Sequence, residues 1–222
     1  MRRVIFLLII SGAGLAILIG LGTWQLQRKA WKEDILSTIE ARIAGAAADH
    51  LPLALDRDTD KYRPVRLQGE AGAEELHVLT SIKDIGPGYR VISPFTLEDG
   101  RRVLIDRGFV TVTEKQAARL TGATVIEGNI HWPQETDSFT PQPDLAANIW
   151  YTRDADQMAK QLDTEAVMIV LRANPEGETG LLPMPVDTAG IPNNHLQYAI
   201  TWFSLAFIWA AMTLYFLRRS RP

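Results

Sequence analysis

Two long runs of apolar residues, one near each end of the chain, dominate the hydrophobic pattern. Residues 4–27 contain no Lys, Arg, Asp or Glu, and neither do residues 188–217. About 20 helical residues cross the roughly 30 Å of hydrocarbon in a bilayer, so each run is long enough for a span. In the second run the helix is expected over residues 196–217. The pattern therefore predicts two transmembrane helices.

The first run has an alternative interpretation as a cleaved signal peptide, because it follows Arg2 and Arg3 at the start of the chain. The apolar core of a signal peptide covers about 7–15 residues and ends at a small-x-small cleavage site. Here the run is longer, and the bulky polar sequence WQLQ follows at residues 24–27. We interpret the run as an uncleaved anchor.

Between the two runs, short segments rich in β-branched and aromatic residues alternate with turn residues, which is typical of strands. The predicted strands are residues 65–69, 76–81, 89–95, 102–110, 125–130 and 166–171. Residues 97–100 predict a hairpin turn in which Gly100 supplies a positive φ. Helices are predicted over 113–120, with Thr113 as N-cap, and over 153–162. An antiparallel meander is the expected arrangement of the strands.

These elements predict a membrane protein of the α+β class, in which two transmembrane helices flank an extracytoplasmic domain rich in antiparallel sheet. The predicted segments are an N-terminal tail with the first transmembrane helix (1–27), a juxtamembrane helix and linker (28–50), the domain (51–187), a return segment with the second transmembrane helix (188–217) and a C-terminal tail (218–222). The 160 residues of 28–187 are long enough for one hydrophobic core.

The distribution of charge predicts the orientation. Arg2 and Arg3 precede the first span, and Arg218, Arg219 and Arg221 follow the second, so both termini are expected in the cytoplasm. Residues 28–187 carry all 26 acidic residues and have a net charge of −8. We expect this part on the periplasmic side of a bacterial inner membrane, since no organellar transit peptide precedes the first span.

Composition excludes several classes of function. The chain has no cysteine, so disulfides, thiolate metal sites and thiol catalysis are absent. Its net charge of −3 argues against nucleic acid as a partner, because phosphate binding needs a concentrated positive field. No phosphate-binding loop, nucleophile elbow or HExxH motif occurs, so the sequence suggests no enzymatic activity, although acid and base catalysis needs no local motif.

His195 is the candidate ligand that the pattern singles out. Asn194 can cap the second apolar helix, which places His195 in its first turn at the membrane surface. Tyr198 and Trp202 follow at helical spacing, so an imidazole stands above an aromatic stripe that could receive a porphyrin iron. The alternative is an interfacial aromatic belt in which His195 contacts lipid headgroups.

The first span offers two further features. Trp24 and Arg28 share a helical face where the span leaves the bilayer, and they could anchor the helix or meet a ligand carboxylate. Gly12, Ala16 and Gly20 recur every four residues and predict a face for close helix packing, or a groove over the small residues.

Four parts of the sequence together resemble the Surfeit locus protein 1 family of cytochrome c oxidase assembly factors. They are GLGTWQLQRKAWK (20–32), YRPVRLQGE (62–70), GYRVISPF (88–95) with LIDRGFV (104–110), and NNHLQYAITWF (193–203). The first and the last are the most specific. Residues 111–180 carry no motif that matches, and their role is not predicted.

The resemblance implies an inner-membrane protein that assists the insertion of haem a into the haem-bearing subunit of the oxidase. It also implies transient haem a binding, with His195 as axial iron ligand. Tyr198, Trp202, Trp24 and Arg28 are then the candidate cofactor-binding residues. The implied partners are the haem-bearing oxidase subunit, the bilayer and, as a further candidate, haem a synthase.

Two other functions remain open from the sequence. The chain could be a membrane scaffold that holds an oxidase assembly intermediate without a specific haem site. It could also be a membrane-tethered periplasmic enzyme or sensor, with a site among His77, His131 and nearby acids.

Overall fold

A computed structural model describes residues 2–219, so Arg221, one of the basic residues behind the predicted orientation, lies outside the described residues. The chain divides into two compact units. The helical unit comprises Met1–Ile39 and Thr188–Pro222, and the sheet unit comprises Glu40–Asp187.

The elements follow one another along the chain in the order α1 (Arg2–Ile43), β1 (Pro64–Ala71), β2 (Leu76–Ile82), β3 (Gly86–Leu97), β4 (Arg102–Thr111), β5 (Gly122–His131), α2 (Ala155–Leu162), β6 (Met168–Leu171) and α3 (His195–Arg219). Two apolar terminal helices therefore flank a sheet-rich region, as the pattern predicts. All six predicted strands are present, most of them longer than expected.

Helices α1 and α3 are each long and apolar enough to cross a membrane. Their large apolar side chains lie mostly on the outside of the helical unit. Phe6 is 62% exposed and Phe207 is 76% exposed, for example. A helix that is apolar on all sides is stable where its surroundings are apolar too. The exposure distinguishes α1 and α3 from the buried core helices of a soluble protein.

The sheet unit is a closed barrel of five strands in the order β1, β5, β6, β4, β3, with β1 and β3 paired to close the ring. Strand β2 extends the sheet by pairing with the first half of β3. Closure needs a glycine where β1 crosses β3, because a Cβ on Gly69 would lie 2.2 Å from the Thr96 carbonyl oxygen. No other residue type leaves this approach open.

The predicted meander is wrong in its second half. Strand β6 inserts between β4 and β5, and it pairs in parallel with β4 and antiparallel with β5. The segment 132–167, which contains α2, carries the chain back to this central position. A meander prediction assumes that neighbours in sequence pair in space, and a late four-residue strand made entirely of buried residues breaks that assumption.

The two predicted helices of the domain have different outcomes. Helix α2 is confirmed and begins two residues later than predicted. The Asp154 side chain caps it by accepting a hydrogen bond from the Gln157 N–H. The helix predicted over 113–120 is wrong, because only the 3₁₀ turn Val112–Glu114 forms. The Arg119 guanidinium donates to the carbonyl oxygens of Glu114 and Ala117, which an α-helix would use for its own hydrogen bonds.

Strand β4 contains a bulge that changes the direction of its side chains. Val91 pairs with Gly108 and Ile92 pairs with Asp106, so Arg107 is the additional residue. The Arg107 side chain is fully buried, and so is Asp106 beside it. An extra residue redirects the side chains of a strand. The barrel thus combines a hydrophobic core with buried charges.

Candidate functional site

The predicted site begins where α3 begins. The helix starts at His195, and the Asn194 carbonyl accepts a hydrogen bond from the Tyr198 N–H at 3.2 Å, which puts Asn194 at the predicted N-cap position. The Lys32 ammonium of α1 donates to the Pro192 carbonyl oxygen just before this turn. The first turn of α3 is therefore tied to α1 directly above His195.

His195 contacts a residue that the sequence analysis did not select. Its Nδ1 lies 2.8 Å from Oε1 of Gln25 on α1, and the imidazole is half-buried. One signal for Gln25 exists in the sequence. It is one of the few polar residues of the apolar run, with Ser11, Thr23 and Gln27, and such residues commonly hydrogen-bond across helices. Its partner, 170 positions away, could not be identified from sequence alone.

Trp202 lies almost directly below His195 on α3. Seven residues separate the two, and at about 100° per residue they differ by roughly 20° around the helix axis. Trp202 is half-buried, whereas Tyr198 is 55% exposed. The imidazole and the Trp202 indole thus share one face, as the spacing predicts, with the Tyr198 ring beside them.

Trp24, Arg28 and Tyr198 are exposed residues at the same end of the helix pair as His195. At about 100° per residue, Trp24 and Arg28 lie roughly 160° and 120° away around α1 from Gly22, which contacts Phe203 of α3. Tyr198 lies roughly 140° away from Phe203 around α3. The three side chains therefore point away from the Gly22–Phe203 contact.

Arg28 is held by a neighbour on its own helix. Its guanidinium carbon lies 3.8 Å above the ring centroid of Trp31, in a cation–π contact. Trp24 is 53% exposed and Trp31 is 50% exposed. This open aromatic surface with one cation suits both an interfacial anchor and a flat apolar ligand that carries a carboxylate.

The predicted packing face of α1 is wrong. No atom lies within 4 Å of a Cβ built on Gly12 or Gly20, so these glycines do not contact α3. The close approaches occur at Gly14, beside Trp209, and at Gly22, beside Phe203. Gly14 and Gly22 lie two positions after Gly12 and Gly20, which at about 100° per residue places them roughly 160° away around the axis of α1, on a different face.

A second polar contact joins the helices at their other end. The Trp209 Nε1–H donates to the Ser11 carbonyl oxygen at 3.1 Å. Below it, Leu7, Ile10, Met212 and other apolar residues line a groove of about 350 Å³ between the helices. Its lining is mostly apolar, and Ser11 and Thr213 contribute the hydroxyl groups.

The sheet unit holds a buried cluster of charges that sequence reasoning missed. Arg107 forms an ion pair with Glu178, and both side chains are almost completely buried. The Glu75 carboxylate lies 4.0 Å from Arg107 Nη1. It also lies 3.1 Å from His77 Nε2, from which it accepts a hydrogen bond. Asn148 donates to the other ring nitrogen of His77 at 3.1 Å. His77 is thus engaged on both sides, as a structural residue would be.

His131 has an unusual environment. Its ring stacks on Tyr62 at 5.5 Å, and its Nδ1 is buried without a hydrogen-bond partner among residues 2–219. Burial, together with the positive charges of Arg153 and Lys61, lowers the pKa of His131 to about 4. The side chain is therefore neutral at physiological pH. Within the described residues, no group of three or more His, Asp or Glu side chains could hold a metal ion.

Comparison with known proteins covers both units of the chain. The model of the SURF1 family matches residues 13–207, from within α1 to the middle of α3. The chain belongs to the SURF1 family. The match includes Gln25, His195 and every other residue of the candidate site.

Individual relatives of this SURF1 family member come from animals and bacteria. Surfeit locus protein 1 of Rattus norvegicus is 30% identical over 86% of this chain and 70% of its own length. Surfeit locus protein 1 of Homo sapiens is 29% identical over 84% of this chain and 69% of its own. A SURF1-like protein of Rickettsia bellii is 28% identical over 86% of this chain and 82% of its own.

Proposed function

We propose that this SURF1 family member is a membrane-anchored, non-enzymatic assembly factor of cytochrome c oxidase that carries haem a as cargo on His195. Helices α1 and α3 form the anchor, with both termini in the cytoplasm and the sheet unit on the periplasmic side of a bacterial inner membrane. The acceptor is the haem-bearing oxidase subunit, and haem a synthase is the proposed supplier.

The observation that carries this proposal is the His195–Gln25 contact. Nδ1 is engaged at 2.8 Å, and the imidazole keeps a second nitrogen that can bind iron. The aromatic rings of Tyr198 and Trp24, at the same end of the helix pair, are exposed and offer flat apolar surfaces. A half-buried imidazole beside such surfaces fits a porphyrin, and Arg28 fits its carboxylates.

The chemistry of the cargo explains why such a site would lie on membrane helices. Haem a bears a long isoprenoid tail, and each buried CH₂ favours the bilayer over water by about 0.8 kcal/mol. A carrier within the bilayer keeps this tail in hydrocarbon throughout transfer. A carrier must also release its cargo, and a ligand that is held too tightly dissociates slowly. A single protein ligand to the iron keeps this dissociation fast.

Replacement of His195 tests the proposal. We expect His195→Ala protein, purified from cells that make haem a, to lose most of the haem absorbance of the wild type. His50→Ala is the matched control, since His50 is exposed and lies outside the helix pair. An unchanged haem content in the His195→Ala protein would overturn the ligand role.

A scaffold function is the second candidate, and one feature of the sheet unit favours it. Phe139 and Leu145, in the segment between β5 and α2, are 91% and 61% exposed. Exposed apolar side chains in a polar domain often mark a docking surface. If this is the main role, His195→Ala cells should insert haem into the oxidase normally, and Phe139→Ser cells should not.

A further inference from the structure

We infer that Gln25 is a positioning residue that accepts the Nδ1 proton of His195 and thereby makes Nε2 the iron-binding atom. The inference rests on the proposed function for the role of Nε2, but the tautomer it assigns belongs to the protein without haem. The contact that carries it is the 2.8 Å distance between Gln25 Oε1 and His195 Nδ1.

The direction of this hydrogen bond selects the tautomer. An amide oxygen has no proton to donate, so Nδ1 must carry the proton when it faces Gln25 Oε1. In a neutral imidazole the other nitrogen, Nε2, then holds a free lone pair. Histidine ligands in metal sites commonly use their second nitrogen in this way, and the bond orients the ring and raises its basicity.

Contacts above and below hold Gln25 in place. One turn below it, Gly22 packs against the ring of Phe203. Two turns above it, the Lys32 ammonium donates to the Pro192 carbonyl oxygen. The first contact joins α1 to α3 two turns below His195, and the second joins α1 to the segment just before His195. The alignment of the amide with the imidazole is therefore set by the packing of the helix pair, before any ligand arrives.

Three substitutions of Gln25 separate the hydrogen bond from other roles of the side chain. Gln25→Leu removes the acceptor and keeps a similar volume. Gln25→Asn keeps the amide but shortens it by one methylene, so the bond cannot form at the same helix spacing. Gln25→Glu keeps an acceptor at the same reach and strengthens it by charge. Gln27→Leu is the matched control, because Gln27 is exposed on the same helix.

The first measurement needs no haem. In the full-length protein labelled with ¹⁵N-histidine and held in lipid nanodiscs, nitrogen shifts report which ring nitrogen is protonated. His195→Ala identifies the signals among the four histidines. We expect the Nδ1–H tautomer of His195 in the wild type and in Gln27→Leu, and its loss in Gln25→Leu and Gln25→Asn. An Nε2–H tautomer in the wild type would overturn the inference.

The second measurement uses haem. Loss of a hydrogen-bond partner behind a metal-binding histidine typically costs 10–100-fold in affinity. We expect Gln25→Leu and Gln25→Asn to weaken haem binding within this range. We expect Gln25→Glu to bind haem and to lower its reduction potential, since a more basic imidazole stabilises the oxidised iron. A merely structural role of Gln25 would leave the potential of the Gln25→Glu protein unchanged, and that result would overturn the inference.

Together, the two measurements distinguish a failure of this inference from a failure of the proposed function. If the wild type shows the Nδ1–H tautomer and binds no haem, the proposed function fails and the assignment of the proton stands. If haem binding depends on His195 but is equal in Gln25→Leu and the wild type, the proposed function stands and Gln25 is not a positioning residue.

Discussion

The helical unit and the sheet unit place their apolar and polar groups in opposite ways. In the helical unit, apolar side chains such as Phe207 point outward, and the polar contacts Gln25–His195 and Trp209–Ser11 lie between the helices. In the sheet unit, apolar side chains fill the barrel, and most charges face outward. The contrast is the one that the proposed membrane anchor predicts, with hydrocarbon around the helical unit and water around the sheet unit.

The contrast also indicates what holds each unit together. Within hydrocarbon, burial of apolar groups between helices gains little, so close packing at glycines and a few hydrogen bonds supply the association. In water, the hydrophobic effect stabilises the barrel and can offset the cost of buried charges, provided that they are paired. Removal of one contact should therefore have different consequences in the two units.

The largest effect is expected from the buried ion pair of the sheet unit. Glu178→Ala leaves the buried Arg107 guanidinium without its partner, and loss of one member of such a pair typically costs 3–5 kcal/mol. We expect thermal or denaturant unfolding of the barrel, followed by near-ultraviolet circular dichroism, to show about this loss.

The matched control for this prediction is Glu165→Ala. Glu165 pairs with Arg101 at 2.7 Å, but its side chain is 42% exposed. Exposed pairs contribute about 0–1 kcal/mol. Equal losses of stability in the two variants would contradict the contrast between buried and exposed charge.

A smaller effect is expected from the pH dependence of the barrel. The pKa of His131 is lowered by burial to about 4 in the folded state, whereas about 6.5 is usual in an unfolded chain. Below pH 6.5 the unfolded state therefore binds a proton that the folded state does not, and stability falls as the pH falls towards 4.

Between pH 6.5 and 5 this loss is on the order of 2 kcal/mol, at 1.4 kcal/mol per pH unit. His131→Phe keeps the ring beside Tyr62 and removes the titration. We expect a flatter profile of the unfolding midpoint against pH in this variant. An identical slope in the wild type and in His131→Phe would show that other groups control the acid sensitivity.

In the helical unit, a comparable effect is expected from a single glycine. A Cβ on Gly22 would lie 2.7 Å from the Phe203 ring, so Gly22→Val should separate the helices and cost about 1–3 kcal/mol. Gly12→Val is the control, because nothing lies within 4 Å of a Cβ there. Reversible unfolding in SDS measures both. A larger loss of stability in Gly12→Val than in Gly22→Val would support helix packing through the predicted face of Gly12, Ala16 and Gly20.

The smallest effect is expected from the inner hydrogen bond of the helix pair. Trp209→Phe keeps most of the aromatic ring and removes the donor to the Ser11 carbonyl oxygen. Such interhelical bonds contribute about 0.6–1.7 kcal/mol. The same SDS titration should show a loss of about 1 kcal/mol, and Trp31→Phe, at an exposed position, should show less. Equal losses would mean that the bond does not contribute to helix association.

Prediction from sequence succeeded where neighbours along the chain decide the outcome. The hairpin turn is an example, because Gly100 adopts a φ of +86° between β3 and β4 as predicted. The N-terminal start of α3 at His195 is another. In both cases the relevant hydrogen bonds form within a few residues. Local signals in the sequence are then sufficient.

Prediction from sequence failed where contacts between distant residues decide the structure. The spacing of Gly12, Ala16 and Gly20 describes a face of α1 but does not indicate which face α3 covers. Where a helix is predicted after Thr113, the chain forms a 3₁₀ turn instead, and the Arg119 side chain donates to the carbonyl oxygens of Glu114 and Ala117. Arg107 lies at the bulge in β4 and forms a buried ion pair with Glu178, 71 positions away, which no local pattern indicates.

By itself, the sequence determined the two apolar terminal helices, the strand-forming segments between them and the histidine at the start of α3, because periodicity and turn residues act over short distances. Tertiary structure alone decided the barrel closure at Gly69, the place of β6 and the partner of His195. These depend on contacts between residues up to 170 positions apart, and the free energy of such contacts is set by the whole packed arrangement.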